Sequence, residues 1–481
     1  MNWLTNFRAI KMWKREKYSK VNGSSEETME TGKSDVTGKE KAQVASTKTH
    51  PTVYIVFFSL LLDLLAFTMI LPLLPSLLEH YRVNDKDGLY TTLSNSISYF
   101  TQMVGAPEKY TSVLFGGFLG SMFSLLQFII SPLAGGLSDY YGRKPILLVT
   151  LFGIIGSYGL WAISSNFGLF VLARFVGGLS KGNISLSMAI ITDVSSKENR
   201  GKGMALVGIA FSLGFIVGPV IGAIFSRFAD KSSTDWFAYP ALFAMCLATL
   251  DALFVMFCLK ESLPAEKRAK TVINSVSQAL EHISIPSLFR FDAVKNLSKA
   301  DVASLKQLGF IYFFYLFIYS GLEFTVTFLM FHKFGYNSMD QAKMFLTTGV
   351  IMTILQGGVV RRIKLERTQQ AAVFGLILIV PSYIIVGLSE NSFWLYVGMI
   401  LYAISTAFVV TCMTTLTSKY GSFDQKGTVL GIYRSLGALA RAFGPIISST
   451  AFWSIGATTT YLIGGLLLIY PTAKLYKLRL S

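Results

Sequence analysis

The sequence predicts an all-α membrane protein with twelve transmembrane helices, arranged as two pseudo-repeated six-helix bundles. Three observations support this fold class. Apolar stretches of about 20 residues, the length a helix needs to cross the hydrocarbon core, recur from Val53 to near the end of the chain. Lys and Arg are distributed unequally among the segments that connect these stretches. The two halves of the chain also share short sequence patterns at similar spacing.

The overall composition fits the same class. The 481 residues are 52% hydrophobic and only 15% charged, whereas a soluble domain carries about 25% charged residues. The mean hydropathy is +0.51. The 38 Phe and 22 Tyr exclude disorder over most of the length, and 3 Cys provide no disulfide framework.

Residues 1–50 are polar and basic, and we expect a mostly disordered cytoplasmic tail there. Trp3, Phe7 and Ile10 follow one another at helical spacing among basic residues. This pattern favours either a short helix on an anionic membrane surface or a solvated basic tail. An organelle transit peptide is a third possibility.

Twelve continuous apolar runs follow the tail. Because they do not alternate with polar residues, they are predicted to be helices rather than strands of a β-barrel. The runs lie near residues 53–78, 110–134, 145–164, 167–192, 203–226, 239–259, 307–331, 341–360, 371–388, 392–417, 427–452 and 456–473. The predicted organisation is an N-terminal bundle at 51–261, a cytoplasmic central loop at 262–305, a C-terminal bundle at 306–473 and a cytoplasmic tail at 474–481.

The charge distribution predicts the topology. If the N-terminus is cytoplasmic, the cytoplasmic segments hold 32 Lys/Arg and the segments on the opposite side hold 7. Cytoplasmic loops are enriched in these residues, so both termini are predicted to be cytoplasmic. The same asymmetry explains the net charge of +16 without any nucleic-acid partner. The sequence leaves the membrane open, either the plasma membrane or an internal membrane such as the nuclear envelope.

Internal repetition supports a duplicated architecture. Helices 5 and 11 share the pattern Gly-Ile-x-x-Ser-Leu-Gly at 208–214 and 431–437, an offset of 223 residues. In helices 2 and 8, Ser-Leu-Leu-Gln at 124–127 resembles Thr-Ile-Leu-Gln at 353–356, an offset of 229. Two repeated six-helix halves are typical of transporters that bind their substrate near the midplane between the halves.

Two glycine-containing motifs stand out. The turn after helix 2 contains Gly135, Asp139, Gly142, Arg143 and Lys144 in the order Gly-Gly-Leu-Ser-Asp-Tyr-Tyr-Gly-Arg-Lys. Gly142 permits a sharp reversal of the chain, and Asp139 is predicted to pair with Arg143.

Helix 5 carries the second motif, with Gly214 and Gly218 four residues apart and Pro219 directly after. Glycines at this spacing let two helices approach closely.

These motifs resemble those of the major facilitator superfamily. The turn resembles its cytoplasmic signature, and the helix 5 motif resembles its antiporter motif. Arg174 and Gly178 in helix 4 resemble its Arg-x-x-x-Gly motif. The resemblance implies that Asp193, at the end of helix 4, pairs with the turn. Asp63 followed nine residues later by Pro72 is similar to the tetracycline-type drug:proton antiporters.

The resemblance covers nearly the whole chain from about residue 50 and implies transport by alternating access. The chain resembles most the animal tetracycline-transporter-like branch, which implies efflux of organic anions against protons. One departure is that the turn after helix 8, at 356–362, lacks the Asp of the first-half signature. A symmetric cytoplasmic latch is therefore not expected.

Charged residues inside the predicted helices are the most informative feature. A charge at the bilayer centre costs from about 3 to over 10 kcal/mol, so each must face a wet cavity or pair with another charge. By helical rise, Asp63 and Lys181 both lie roughly 15–16 Å from the cytoplasmic side. Helix 6 is expected to be peripheral, which discounts Asp251. The seven residues are Asp63, Arg174, Lys181, Asp251, Glu323, Arg434 and Arg441.

The excess of cations predicts an amphipathic organic anion as the substrate, because guanidinium groups match carboxylates and sulfonates. The substrate-binding candidates are Arg174, Lys181, Arg434 and Arg441. The predicted apolar walls are Phe67, Phe175, Phe211, Phe324 and Tyr433. The alternative is internal pairing, of Asp63 with Arg174 or Lys181 and of Glu323 with Arg434 or Arg441.

Asp63 and Glu323 are the candidates for proton coupling, Asp63 first. Burial disfavours an ionised carboxylate and a nearby cation favours it, so movement of Lys181 or Arg174 relative to Asp63 would couple protonation to conformation. A permanent structural ion pair is the alternative for Asp63.

The sequence contains no P-loop, no metal-binding motif and no nucleophile motif, so we expect neither an enzyme nor a bound cofactor. The predicted function is a proton-coupled antiporter of organic anions. The alternatives are a uniporter or symporter of the same fold, or a non-transporting receptor or scaffold. The expected partners are an organic anion, protons and membrane lipids, and we expect a monomer.

Overall fold

The computed structural model describes residues 49–85, 88–104, 110–195, 200–228, 236–272, 284–292, 294, 297–420 and 426–478. Almost the whole N-terminal tail lies outside these residues, so its predicted disorder, its surface helix and the alternatives to that helix lie outside the described residues. None of the described residues is in a β-strand.

The first half contains six spans, and the first and fourth of them consist of two helical segments each. They are α1 (Pro51–Thr68 and Leu74–Asn84), α2 (Thr111–Tyr141), α3 (Arg143–Ala162), α4 (Phe167–Leu179 and Asn183–Val194), α5 (Arg200–Phe228) and α6 (Ala238–Cys258). Between α1 and α2 lies a further helix, Leu89–Val104.

The second half also contains six spans. They are α7 (Lys299–Phe334), α8 (Ser338–Gly358), α9 (Thr368–Leu388), α10 (Ser392–Thr417), α11 (Lys426–Ile455) and α12 (Ala457–Leu467 and Ile469–Lys477). α7 begins before its apolar run because Ser298 caps it, its hydroxyl accepting a hydrogen bond of 3.0 Å from the backbone N–H of Asp301.

The predicted class of an all-α membrane protein with twelve spans is confirmed. Eight described helices are long and apolar enough to cross a membrane by length and composition, and they belong to α1, α2, α3, α5, α6, α7, α9 and α10. The segments of α4 and α12 are too short individually, and α8 and α11 carry more polar residues. The polar side chains of α11 have a physical explanation, because a membrane helix tolerates them only on faces that do not contact lipid.

The break in α4 was not predicted from the sequence, where residues 167–192 form one continuous apolar run. The helix stops at Leu179, and the backbone N–H of Lys181 bonds to the carbonyl of Gly178 at 3.2 Å, one residue tighter than in an α-helix. The second segment starts at Asn183. The break therefore places Lys181 between two helical segments.

The two halves meet along two helix pairs, α2 with α11 and α5 with α8. We call the end of the bundle where α1 begins and α12 finishes the tail side. At the other end the halves are in close contact. A Cβ on Gly120 of α2 would lie 2.7 Å from Phe324 of α7, and the backbone N–H of Ile446 in α11 donates to Ser121 Oγ at 2.8 Å.

The tail side is packed differently. α7 contacts the second segment of α1, at the end away from the tail, whereas no comparable packing joins α4 to α10 within the described residues. Five glycines in the tail-side halves of their helices face open space, since a Cβ added to any of them would meet no neighbouring described atom within 4 Å. They are Gly135, Gly208, Gly357, Gly358 and Gly431. The interface between the halves is thus closely packed at one end and more open on the tail side, where Arg434 of α11 contacts Met188 of α4.

Candidate functional site

The turn between α2 and α3 forms the ionic cluster that the sequence predicts. Gly142 has a φ of +106°, which glycine adopts without strain. The Arg143 guanidinium lies 2.6 Å from Asp139 Oδ1 and 2.9 Å from Asp193 Oδ2, and it donates to Ser138 Oγ at 2.6 Å. Both predicted ion pairs of Arg143 are confirmed. The cluster joins the tail-side ends of α2, α3 and α4.

Glu261, just beyond α6, completes this cluster and was not singled out from the sequence. Its carboxylate accepts hydrogen bonds from the backbone N–H groups of Arg143 at 2.9 Å and Lys144 at 3.2 Å. A Cβ at Gly142 would lie 2.6 Å from Glu261 Oε2, so the close approach requires glycine. Acidic groups are favourable at a helix N-terminus, but Glu261 lies 118 residues away in the chain.

The glycines of α5 pack directly on α1. A Cβ on Gly214 would lie 2.6 Å from Leu64 Cβ, and one on Gly218 would overlap the Thr68 side chain. The Thr68 hydroxyl lies 2.7 Å from the Gly214 carbonyl oxygen, where it can donate. The predicted close approach through this motif is observed, and Pro219 lies inside the same helix.

Asp63 and Lys181 form a buried ion pair. Lys181 Nζ lies 2.6 Å from Asp63 Oδ1 and 2.7 Å from Oδ2. Their side chains are 1% and 3% exposed, respectively. The ammonium group also lies 4.8 Å from the centre of the Phe67 ring. The depth estimate that placed the two groups at one level is confirmed, and of the pairings the sequence allowed, the structure shows Asp63 with Lys181.

Arg174 is buried among aromatic rings and away from acids. Its guanidinium carbon lies 5.9 Å from the ring centre of Phe123 and 5.7 Å from those of Trp161 and Phe170. Its Nε has no hydrogen-bond partner among the described residues. No Asp or Glu lies within 4 Å of it in the described part of the chain. Arg174 therefore does not contribute to the ion pair of Asp63.

Asp251 is not peripheral, and the expectation that discounted it is wrong. It is fully buried, because α6 packs against both α1 and α3. Ser59, Asp63 and Lys181 lie near its carboxyl group, yet neither oxygen accepts a hydrogen bond of normal geometry from a described residue. The rotation of α6 about its axis, which buries Asp251, depends on the neighbouring helices and is not encoded in the apolar run itself.

Glu323 in α7 is held by tyrosine hydroxyls. Tyr402 of α10 donates to Glu323 Oε1 at 2.8 Å, and Tyr319, one turn away on α7, donates at 3.1 Å. The two tyrosine rings are stacked with their centres 5.2 Å apart, and their hydroxyls contact each other. Among the described residues no Lys or Arg lies within 4 Å of Glu323, although Arg441 is close enough to interact with it electrostatically.

Arg434 and Arg441 of α11 are exposed although they lie inside a spanning helix. The Arg434 guanidinium contacts the sulfur of Met188 in α4, which belongs to the other half. Arg434 therefore lies at the interface between the halves. Tyr312 of α7 lies near both cations and is stacked on Tyr433 with ring centres 3.9 Å apart.

The predicted aromatic walls are divided between surfaces. Phe175 is 41% exposed, whereas Tyr433 is buried against Tyr312. Phe67, Phe211 and Phe324 are half-buried.

The structure thus assembles the predicted residues in two groups rather than one. Asp63, Lys181 and Arg174 lie within the first half, and Glu323, Arg434 and Arg441 lie within the second. Sequence reasoning missed Tyr319 and Tyr402, because it searched the helices for charges and α10 has none inside its apolar run. No cluster of His, Cys, Asp or Glu suited to a metal ion occurs in the described residues.

Comparison with known proteins agrees with this architecture. The Major Facilitator Superfamily pattern matches residues 56–445. Major facilitator superfamily domain-containing protein 10 of Bos taurus is 43% identical over 426 residues, covering 87% of this chain and 91% of that protein. The tetracycline resistance protein, class B, of Escherichia coli is 23% identical over 394 residues, covering 82% of this chain and 86% of that protein.

A solved structure shows the same fold. The crystal structure of the human organic anion transporter MFSD10 (TETRAN) superimposes with a TM-score of 0.72 and 41% identity, covering 89% of this chain and all of that chain. These relatives are membrane transporters and not enzymes. The chain therefore belongs to the major facilitator superfamily of membrane transporters.

Proposed function

We propose that this transporter moves amphipathic organic anions across the membrane by alternating access, as a proton-coupled antiporter. The observation that carries anion binding and proton coupling is the exposed guanidinium group of Arg441 on α11 near the carboxyl group of Glu323, which tyrosine hydroxyls hold. The antiport direction rests on the α5 motif, which resembles the antiporter motif of the superfamily. The solved relative that is named an organic anion transporter supports the same substrate class.

Arg441 is the central anion-binding residue of the proposal. It lies about 21 Å along α11 from the end opposite the tail, near the middle of the membrane. Its side chain is exposed there, and no acid lies within 4 Å of it in the described residues. A planar guanidinium group can hold a carboxylate or sulfonate with two parallel hydrogen bonds. Arg434 provides a second cation nearer the tail side, on the route by which an anion would enter.

Glu323 is the proton carrier of the second half in this proposal. A carboxyl group whose partners are tyrosine hydroxyls can gain or lose a proton without leaving a buried ammonium or guanidinium unpaired. Asp63 differs, because Lys181 contacts both of its oxygens. In the proposal, Asp63 serves as a coupling residue only where the transport cycle separates it from Lys181.

The alternating movement follows from the packing asymmetry. The state described is closed at the end away from the tail and open on the tail side. In the proposal the tail side faces the cytoplasm, as the Lys and Arg distribution predicts, and the protein works as a monomer in the plasma membrane or an internal membrane. Protease access to an epitope in the tail, measured on intact and permeabilised cells, tests this orientation.

Symport is a second candidate, favoured by the position of Arg441 near Glu323. Adding a proton to Glu323 removes a negative charge beside Arg441 and strengthens anion binding there. By reciprocity, a bound anion then favours protonation of Glu323. This coupling moves the proton and the anion together rather than in opposite directions.

Proteoliposomes containing the full-length protein distinguish these possibilities. They are loaded with a labelled amphipathic carboxylate, and efflux is measured with the outside more acidic, with the inside more acidic, and with no gradient. Antiport predicts faster efflux with acid outside, and symport predicts faster efflux with acid inside. Equal rates in all three conditions would contradict proton coupling, and no flux in any of them would favour a scaffold.

The matched variant is Glu323→Gln, which keeps an acceptor for the tyrosine hydroxyls. We expect it to lose acceleration by a gradient of either sign while retaining exchange of labelled for unlabelled anion. Gradient-driven efflux that survives this change would exclude Glu323 as the carrier.

A further inference from the structure

A small cavity inside the first half contains a cation without an acidic partner among the described residues. Arg174 is 7% exposed, and its Nε is fully buried without a hydrogen-bond partner among the described residues. A guanidinium group has five N–H donors and no acceptor. The surrounding rings stabilise a cation through their faces, but they do not neutralise it.

The cavity is too small for an organic substrate. Its volume is about 10 Å³, which is room for about one water-sized particle. Arg174 and Lys181 both line it, together with Phe67, Phe123, Ile154, Ser157, Tyr158 and Gly177. A carboxylate with an apolar body therefore cannot reach Arg174 in this state.

The charges around the cavity leave one cation in excess when the nearby buried carboxyl group of Asp251 is neutral. Lys181 gives two of its three N–H donors to Asp63, so this pair is neutral and leaves one donor free. The hydroxyls of Tyr158 on α3 and Tyr81 on α1 lie near Arg174. An uncompensated buried charge is strongly unfavourable, and a water molecule in the cavity would not compensate it.

We infer that this cavity binds one monoatomic halide ion, chloride under ordinary conditions, on the guanidinium group of Arg174. The free N–H of Lys181 and the hydroxyl of Tyr158 provide further donors on the same cavity wall. The ion neutralises Arg174 and holds α1, α3 and α4 around the break in α4. The inference is independent of the direction of transport, and it leaves the organic anion to α11.

Trp161 provides a direct measurement. Its ring lies 5.7 Å from the Arg174 guanidinium carbon and is fully buried, so bromide in bulk solvent cannot collide with it. The purified full-length protein is titrated with bromide in place of gluconate at constant ionic strength, and tryptophan fluorescence is recorded. We expect a saturable quenching component in addition to the linear quenching of exposed tryptophans such as Trp394.

Three variants identify the source of that component. Trp161→Phe and Arg174→Gln should abolish it, whereas Arg441→Gln, which removes a spanning-helix cation elsewhere, should retain it. Purely linear quenching that is equal in the unmodified protein and Trp161→Phe would overturn the inference.

A second measurement uses only the unmodified protein, in case Arg174→Gln does not fold. Crystals grown or soaked in bromide should show an anomalous peak beside Arg174, and the Tm should rise saturably when chloride replaces gluconate. Absence of both the peak and the Tm change would contradict the halide site. Organic anion flux is not needed for either measurement, so failure of the proposed function leaves this test intact.

Discussion

The two halves place the same arrangement of charges in opposite environments, buried in the first half and exposed in the second. α4 and α11 each carry two cations seven residues apart, Arg174 with Lys181 and Arg434 with Arg441. In the first half both cations are buried, one against Asp63 and the other among aromatic rings. In the second half both are exposed, and the nearest carboxyl group is held by tyrosines.

The difference arises from how each helix is placed. The break in α4 turns Lys181 towards α1, where Asp63 meets it. α11 instead runs unbroken along the interface with the first half, where it packs against α2. The same charge pattern can therefore stabilise a bundle in one half, while in the other half its cations stay exposed, as the proposed anion site requires.

The variant with the largest expected effect tests the first half, in which both cations are buried. Asp63→Asn leaves the Lys181 ammonium buried without a counter-charge, so we expect a loss of about 3–5 kcal/mol in the free energy of unfolding. Denaturant unfolding in detergent measures it. The double variant with Lys181→Met should recover much of the loss because it removes the unpaired charge. A double variant as unstable as Asp63→Asn would show that the ion pair is not the cause.

The variant with the second-largest expected effect tests the second half, in which both cations are exposed. Arg441→Gln removes a charged hydrogen-bond donor, which is worth about 1.5–3 kcal/mol, so anion affinity should fall about 10- to 150-fold. Binding of the labelled carboxylate measures it, and stability should change little because Arg441 is exposed. Arg441→Lys should restore part of the affinity. Unchanged affinity in Arg441→Gln would mean that Arg441 of the second half does not bind the anion.

A smaller effect compares glycines at repeat-related positions. Gly214→Ala places a methyl group against Leu64 Cβ, close to the backbone of α1, and overpacking of this kind costs about 1–3 kcal/mol. The corresponding Gly437 faces the end of the Leu316 side chain at 3.0 Å, which can move. Gly437→Ala should therefore cost less than Gly214→Ala in thermal unfolding. The reverse order would contradict the closer approach of α5 to α1 at Gly214.

The smallest effect concerns Asp251. Because its carboxyl group lacks a cationic partner and an ordinary hydrogen bond among the described residues, it is best accommodated in neutral form. Asp251→Asn should then change the free energy of unfolding by less than about 1 kcal/mol, a typical value for one hydrogen bond. Denaturant unfolding beside Asp63→Asn checks this. Equal losses in the two variants would show that Asp251 is ionised and shares Lys181.

Much of the fold followed from the sequence because apolar run length and glycine motifs are local signals. The ion pair of Arg143 with Asp139 was predictable because the residues that form the turn are close together in the chain. Helical rise placed Asp63 and Lys181 at a similar depth, although the sequence left open whether Asp63 pairs with Lys181 or with Arg174. These arguments need only distances along a helix.

The burial or exposure of the individual charged side chains could not be predicted, because it depends on the rotation of helices about their axes. The apolar run of α6 gives no indication that Asp251 faces α1, since lipid and protein neighbours both accept apolar residues. Arg174 and Arg434 were equivalent in the sequence, and only tertiary packing encloses one and exposes the other. Tyr402 went unnoticed because its apolar ring fits any membrane helix.

The bond between Glu261 and the α2–α3 turn has a consequence for protein engineering. It anchors the start of the connection between the halves to the first bundle. Ser262, whose hydroxyl lies 3.1 Å from Asp193, continues the anchored stretch, and the backbone N–H of Ala269 extends it by donating to the Asp139 carbonyl at 2.8 Å. Fluorescent reporters or shortening deletions placed beyond Ala269 should leave the first bundle intact, while the same changes before it would remove bonds that hold the turn.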